Sequence, residues 1–299
     1  MKSRADLKIA LLGMEELPGT TALRLRQAGY VRAEALDLRR GAALWRVLAP
    51  YDVVHLVYPV HYLKWVPAWK IAGKRVVFHW IGSDVTRVCE SPLLKKTFDL
   101  IKDGVDLHIA DAPWLLDDLR KMAVRGRLVP TISEKMRYGT VPMPKDFRMM
   151  TYIPDIRRDF YGWDTIKATA TALPDVEIIA VKGTTTSDTP PNVRFTGDVD
   201  GATMDRLYAE VAALVRPTVA DGLSQMVLEA LGRGRQVVWS RPFPYCKHAA
   251  TPDEFVAAAR DLAARCPLNE EGAALVAADY TPRAAAAALV AAYASAGIT

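Results

Sequence analysis

At 299 residues, 51% of them hydrophobic, the chain can build two ordinary cores and is too apolar to be disordered. Its 39 basic and 34 acidic residues leave a net charge of only +5, and no recognition motif for nucleic acid accompanies that excess. Cys89, Cys246 and Cys266 lie far apart with no CxxC, which argues against a disulfide framework or a zinc site and fits a reducing cytoplasm.

The N-terminus, MKSRADLKIALLG, has a short apolar run followed by Glu15-Glu16 and reads as a first strand rather than a signal peptide. No apolar stretch approaches the ~20 residues that a membrane span needs. Leu7–Leu12 is the expected strand. Thr20–Ala28 is an amphipathic helix closed by Gly29, and 31–38 is a second strand. Asp52–Val57 and Arg75–His79 are strands separated by a helical segment carrying Tyr62, Trp65 and Trp69. A helix over Pro92–Lys102, a strand over Leu107–Ala110, a helix over Pro113–Met122 and a strand over Arg127–Val129 complete this half. The strands are continuous apolar runs, as in a parallel sheet covered on both faces, so a Rossmann-like layer sandwich is expected.

This first quarter is also basic: Arg24, Arg26, Arg32, Arg39, Arg40, Arg46, Lys64, Lys70, Lys74 and Arg75 are interleaved with Trp45, Tyr62, Trp65 and Trp69. Such mixing suits an anionic bilayer surface or an anionic acceptor.

From Thr131 to Arg148 the pattern weakens and reads as a linker between domains. A second alternation follows: strand Met149–Ile153, helix Trp163–Thr171, strands Val176–Val181 and Asn192–Phe195, and helix Ala202–Ala212. Then comes ALVRPTVADGLSQMVLEALGRGRQVVWS, residues 213–240, a strand, turn, helix and strand in one βαβ unit. Its helix starts at Ser224, where free N–H groups and the positive end of the dipole suit a phosphate. Two acids flank it, Asp221 before the helix and Glu229 within it, with seven residues between them. Thr251 and Glu254 have capping-box spacing before a helix that runs to Cys266, and Thr281-Pro282 opens a last alanine-rich helix.

The run from Arg216-Pro217-Thr218 through Leu228-Glu229-Ala230-Leu231 to Gly234-Arg235-Gln236-Val237-Val238 resembles the E-x7-E region of retaining family 4 glycosyltransferases, with Asp in first place. Asn192-Val193-x-Phe195-x-Gly197 and Leu207-Tyr208 resemble the family's run beside the nucleotide base. The resemblance implies a GT-B fold, α/β with two Rossmann-like domains facing a cleft. The domains would be 1–145 on the acceptor side and 146–280 for the nucleotide sugar, with a C-terminal helix, 281–299, crossing back to the first.

It also implies roles. Glu229 would hold the ribose hydroxyls, Asp221 would contact the donor sugar, and the N–H groups of Gly222, Leu223 and Ser224 would cradle the donor beside the loop at Gly197. Protein cations would replace a metal at the diphosphate, so no metal or cofactor is expected. The family places an Arg and a Lys before a glycine; here Tyr161 precedes Gly162, so Arg157, Arg158 and Lys182 are the candidates. His79, at a strand end before Gly82, would face the sugar with Asp221 as the catalytic pair, and Asp84 the acceptor. The expected activity is retaining transfer of a sugar from a nucleotide-diphosphate donor to the hydroxyl of a glycan, glycolipid or small molecule. The expected location is cytoplasmic, with peripheral contact to the inner face of an anionic membrane. The alternatives are a catalytically silent homologue acting as a binding or scaffold subunit, and an epimerase or phosphorylase of the same fold. No GxGxxG, Walker or nucleophile-elbow motif is present.

Overall fold

The computed structural model describes residues 3–13, 16–37 and 47–298. The chain divides into two compact units, residues 1–134 with 281–299, and residues 135–280. Met14, Glu15, Leu38, Arg39, Arg40, Trp45 and Arg46 lie outside the described residues.

In the first unit β1 (Lys8–Leu12), β2 (Arg32–Ala35), β3 (Val53–Val57), β4 (Arg75–Trp80), β5 (Leu107–Ala110) and β6 (Gly126–Leu128) form a parallel sheet in the order β2-β1-β3-β4-β5-β6. Helices α1 (Leu17–Gln27), α2 (Val66–Ile71), α3 (Ser83–Glu90), α4 (Pro92–Ile101) and α5 (Pro113–Lys121) connect the strands. Both faces of the sheet are apolar because both are covered. Ile9, Leu11, Val53, Val77 and Ile109 share a core cluster with Leu25 and Leu289. Phe78, Trp80 and Phe98 pack edge to face in a second group. Each such side chain contributes about 1.5–3 kcal/mol on burial.

The sequence reading missed helix α3 and the first turn of α1. Leu17-Pro18-Gly19 reads as loop, yet a proline in the first helical turn loses no needed N–H and already has helical φ. Part of the basic bias turns inward, while Arg26, Arg32, Lys64 and Arg75 are exposed. Arg24 is buried against Glu134 and the carbonyl of Ile132, and Lys74 donates to the carbonyls of Ala49 and Tyr51. Trp69 is fully buried, so these three belong to the interior rather than to a surface.

In the second unit β7 (Met149–Tyr152), β8 (Ile178–Val181), β9 (Val193–Phe195), β10 (Ala213–Arg216), β11 (Gln236–Trp239) and β12 (Lys247–His248) form a parallel sheet in the order β12-β11-β10-β7-β8-β9. Its helices are α6 (Trp163–Ala172), α7 (Gly201–Glu210), α8 (Gln225–Gly232), α9 (Pro252–Ala264) and α10 (Glu270–Asp279). The capping box of Thr251 and Glu254 forms at the start of α9. Helix α10 was not expected; the Asn269 side chain caps it by accepting from the Gly272 N–H.

Helix α11 (Pro282–Ser295) packs on the first unit's sheet. Its Tyr293 is fully buried, stands edge-on to Tyr30 at 5.5 Å, and shares a 2.8 Å hydrogen bond with Nδ1 of His55 on β3. A buried polar atom that loses its partner keeps its desolvation cost. Tyr293→Phe is therefore expected to lower stability by about 1–3 kcal/mol in urea unfolding; an unchanged midpoint would show that the contact carries nothing.

Candidate functional site

The order of the second sheet decides where its site lies. From β7 the chain moves outward through β8 and β9, then returns to the other side of β7 for β10, β11 and β12. The loops leaving β7 and β10 thus diverge at a topological switch point, the place where open α/β sheets bind ligands beyond the carboxyl ends of their strands.

Those loops touch. Gly162, which caps α6, has φ +78°, and a Cβ built on it would lie 2.2 Å from the carbonyl oxygen of Pro217. Only glycine allows both that conformation and that approach. A second glycine, Gly183 after β8, closes the same way on the Ile153 carbonyl, at 2.3 Å. The Val219 N–H also donates to the Phe160 carbonyl at 2.9 Å, joining the β7 and β10 loops directly.

The β10 loop is held by charge. Nε of Arg216 lies 2.5 Å from Oδ2 of Asp221, both side chains largely buried, and the Thr218 hydroxyl donates to the same oxygen at 3.2 Å. Asp221 therefore neutralises the last residue of β10 and closes its own loop. Ser240 Oγ donates to the Thr218 carbonyl at 2.6 Å and ties the loop to β11. Ser224 is the N-cap of α8, its hydroxyl accepting from the Val227 N–H. Gly222, Leu223 and Ser224 are buried around that helix start.

Glu229 lies in the second turn of α8 and is partly buried. Its Oε2 accepts a 2.9 Å hydrogen bond from the hydroxyl of Tyr208, which is itself fully buried on α7. Arg233 donates to the Glu229 carbonyl at 3.0 Å, stacks over the Tyr208 ring at 4.6 Å and pairs with Asp205. Burial pushes the Glu229 carboxyl above the ordinary glutamate range, against the pull of the Tyr208 hydrogen bond and the Arg233 charge. Oε1 has no hydrogen-bond partner among the described residues, so one acceptor on an oriented carboxylate stays open.

The candidate cations separate. Arg158 is spent on Asp155 at 2.6 Å, on the Thr184 carbonyl and on Thr186, with its guanidinium over Phe195. It fastens the β7 loop to the β8 loop. Lys182, with φ +66°, ends β8 and pairs with Asp198 at 2.8 Å beside Gly197. Arg157 is exposed, sits in the left-handed region at φ +63° over the Phe160 ring at 4.0 Å, and has no carboxylate partner among the described residues. A left-handed arginine is uncommon and marks a constrained loop. Tyr208 and Arg216 were legible only as parts of the family-like run; their contacts span the fold and leave no spacing signal.

His79 is in the first unit, and the structure buries it. Its Nδ1 lies 3.3 Å from Nε2 of His55, and its Nε2 lies 3.4 Å from the Thr131 hydroxyl. The imidazole is thus a member of the interior row that ends at Tyr293. Asp84 is fully buried too, accepting from the N–H groups of Ile81, Gly82 and Val85, so it shapes the turn after β4. Among the described residues no cluster of His, Cys, Asp or Glu could hold a metal ion, and no helix is long and apolar enough to cross a membrane.

No protein-family model and no curated protein matches the sequence. Solved structures do share the fold. HepE from Anabaena, in complex with UDP, matches with a TM-score of 0.73 at 13% identity over 97% of this chain and 100% of that one. Sucrose-phosphate synthase from Thermosynechococcus elongatus matches with a TM-score of 0.73 at 14% identity over 96% and 98%. TarM matches with a TM-score of 0.61 at 8% identity over 81% of this chain and 54% of its own. The chain has the GT-B fold that these structures share.

Burial, partly offset by a backbone hydrogen bond at Val129 and reinforced by the Arg24 charge, lowers the His79 pKa to about 4. Because the folded pKa lies below the usual 6.5, the unfolded chain takes the proton first. This contribution to stability is complete above about pH 6.5 and is lost as pH falls towards 4. Asp84, raised to about 7 by burial, acts with the opposite sign and loses its contribution as pH rises through 7. An unfolding curve mixes the two, so the clean observable is the ring-proton NMR shift of His79. It should hold its neutral value down to about pH 5; a midpoint near 6.5 would place the imidazole in contact with water.

Proposed function

We propose that this chain is a glycosyltransferase that moves a sugar from a nucleotide-diphosphate donor to an acceptor hydroxyl, with the donor held at the switch point of the second unit. The observation that carries the reading is the open Oε1 of Glu229, a half-satisfied carboxylate fixed by Tyr208 one helical turn and a half from the α8 N-terminus. A pair of ribose hydroxyls would supply the missing donors. The N–H groups around Gly222–Ser224 and the positive end of α8 would take the diphosphate, with Arg157, which has no carboxylate partner among the described residues, as a cation beside it. HepE, a neighbour in fold, is solved in complex with UDP, which supports a nucleoside diphosphate as the kind of ligand.

On this reading transfer proceeds on one face of the sugar with retention, and the departing diphosphate is stabilised without a metal. The diphosphate oxygen that leaves can accept the acceptor's proton. Asp221 acts at one remove, by holding Arg216 and the β10 loop in shape.

Calorimetric titration with UDP, GDP and ADP tests this directly. One nucleotide should bind the native chain. Glu229→Ala should weaken it by about ten- to a hundredfold, the loss of charge-assisted hydrogen bonds worth about 1.5–3 kcal/mol, with the chain still folded but less stable because the buried Tyr208 hydroxyl loses its acceptor. Equal affinity of the variant, or no binding of any of the three, would remove the donor-site assignment.

A further inference from the structure

A second concave site lies in the first unit, at the amino ends of β5 and β6, opposite the edge where the chain enters α3. It is a cavity of about 500 Å³ lined by Val105, Asp106, His108, Arg120, Arg125 and Arg127, with Ser295 and Ala296 from the end of α11. Its volume is in the range of small-ligand pockets.

Its shape follows from β6. Gly126 faces α5, since a Cβ there would lie 2.9 Å from a Leu116 methyl and 3.0 Å from a Leu119 methyl. Arg125 and Arg127 flank that glycine, and both line the cavity together with Arg120 from α5. β6 is the edge strand of its sheet, and both arginines are exposed.

The charge at this site is unspent. Neither Arg125 nor Arg127 has a hydrogen-bond or carboxylate partner among the described residues. Arg120 has only the exposed Asp117, at 2.5 Å. The single acid in the lining, Asp106, is consumed: Oδ2 accepts from Lys70 at 2.5 Å and from the Val76 N–H at 2.7 Å, and Oδ1 accepts from Arg75 at 3.1 Å. Charged edge strands do discourage pairing with other sheets. That duty, however, needs neither a cavity nor three arginines in its lining.

We infer that Arg120, Arg125 and Arg127 form a binding site for a phosphate-bearing anion, separate from the switch point of the second unit. Guanidinium groups take phosphate oxygens in a bidentate fork, and three arginines lining one cavity favour a phosphate group over a single carboxylate. A soluble phosphate ester and a phospholipid headgroup share this chemistry.

The test uses the full chain, isotopically labelled, titrated with inorganic pyrophosphate. Amide shifts should cluster at Gly126, Leu107 and Ser295. The double variant R125S/R127S should weaken binding by about tenfold or more, while K95S/K96S, which removes the same charge from α4, leaves it unchanged. UDP titration of both variants reports on the donor site independently. In the second arm, vesicles of phosphatidylglycerol and of phosphatidylcholine are sedimented with the protein. Retention on phosphatidylglycerol alone, lost in R125S/R127S, assigns the phosphate to a lipid headgroup; pyrophosphate binding without sedimentation assigns it to a soluble ester. Pyrophosphate affinity equal in R125S/R127S and the native chain, or lowered equally by K95S/K96S, would overturn the site.

Discussion

The second unit depends on one close approach, that of Gly162 to the carbonyl of Pro217. A side chain at residue 162 would separate the β7 and β10 loops, and with them the two strands between which the sheet reverses its order. Because the loops meet, the start of α8 is presented beside the β7 loop instead of being walled off from it. Everything assigned to the donor site, from Arg157 on one loop to Glu229 on the helix that follows the other, inherits its position from that contact.

Charge is handled differently in the two units, and the difference explains what each part of the interior does. Around β10, buried charges have partners that fix geometry: Arg216 with Asp221, Arg233 with Asp205, and Glu229 with the Tyr208 hydroxyl. Breaking one such pair costs more than forming it gains, because the survivor stays desolvated. In the histidine row of the first unit burial instead keeps groups neutral. His55 and His79 share hydrogen bonds with Tyr293 and Thr131, and burial lowers both imidazoles. Those bonds anchor α11 to the sheet that its chain left far behind in sequence.

Much of this was legible in the sequence because parallel strands announce themselves as unbroken apolar runs. The β3 run Val53–Val57 is buried at every position, and β10 and β11 frame α8 as the 213–240 segment predicts. The start of α8 near Ser224 and the positions of Asp221 and Glu229 could be read from spacing, whereas Ser224 serves as the cap and not as the first helical residue. What could not be read is which partner each charge takes. Arg158 and Lys182 look like free loop cations in the sequence, and the fold gives them Asp155 and Asp198. His79 looks like a rim residue because it stands next to last in its strand, but α11 and Thr131 cover that face. The basic first quarter mixes both kinds, since the counts do not distinguish Arg24 in the interior from Lys64 outside it.

The account rests on a nucleoside diphosphate meeting the start of α8. Its most direct measurement is an amide NMR titration of the labelled protein with UDP, followed residue by residue. The account predicts that the first and largest shifts fall on Gly222, Leu223 and Ser224, with Gly162 and Arg157 responding at the same concentrations. Shifts confined to the first unit, or spread evenly with none at those amides, would contradict it.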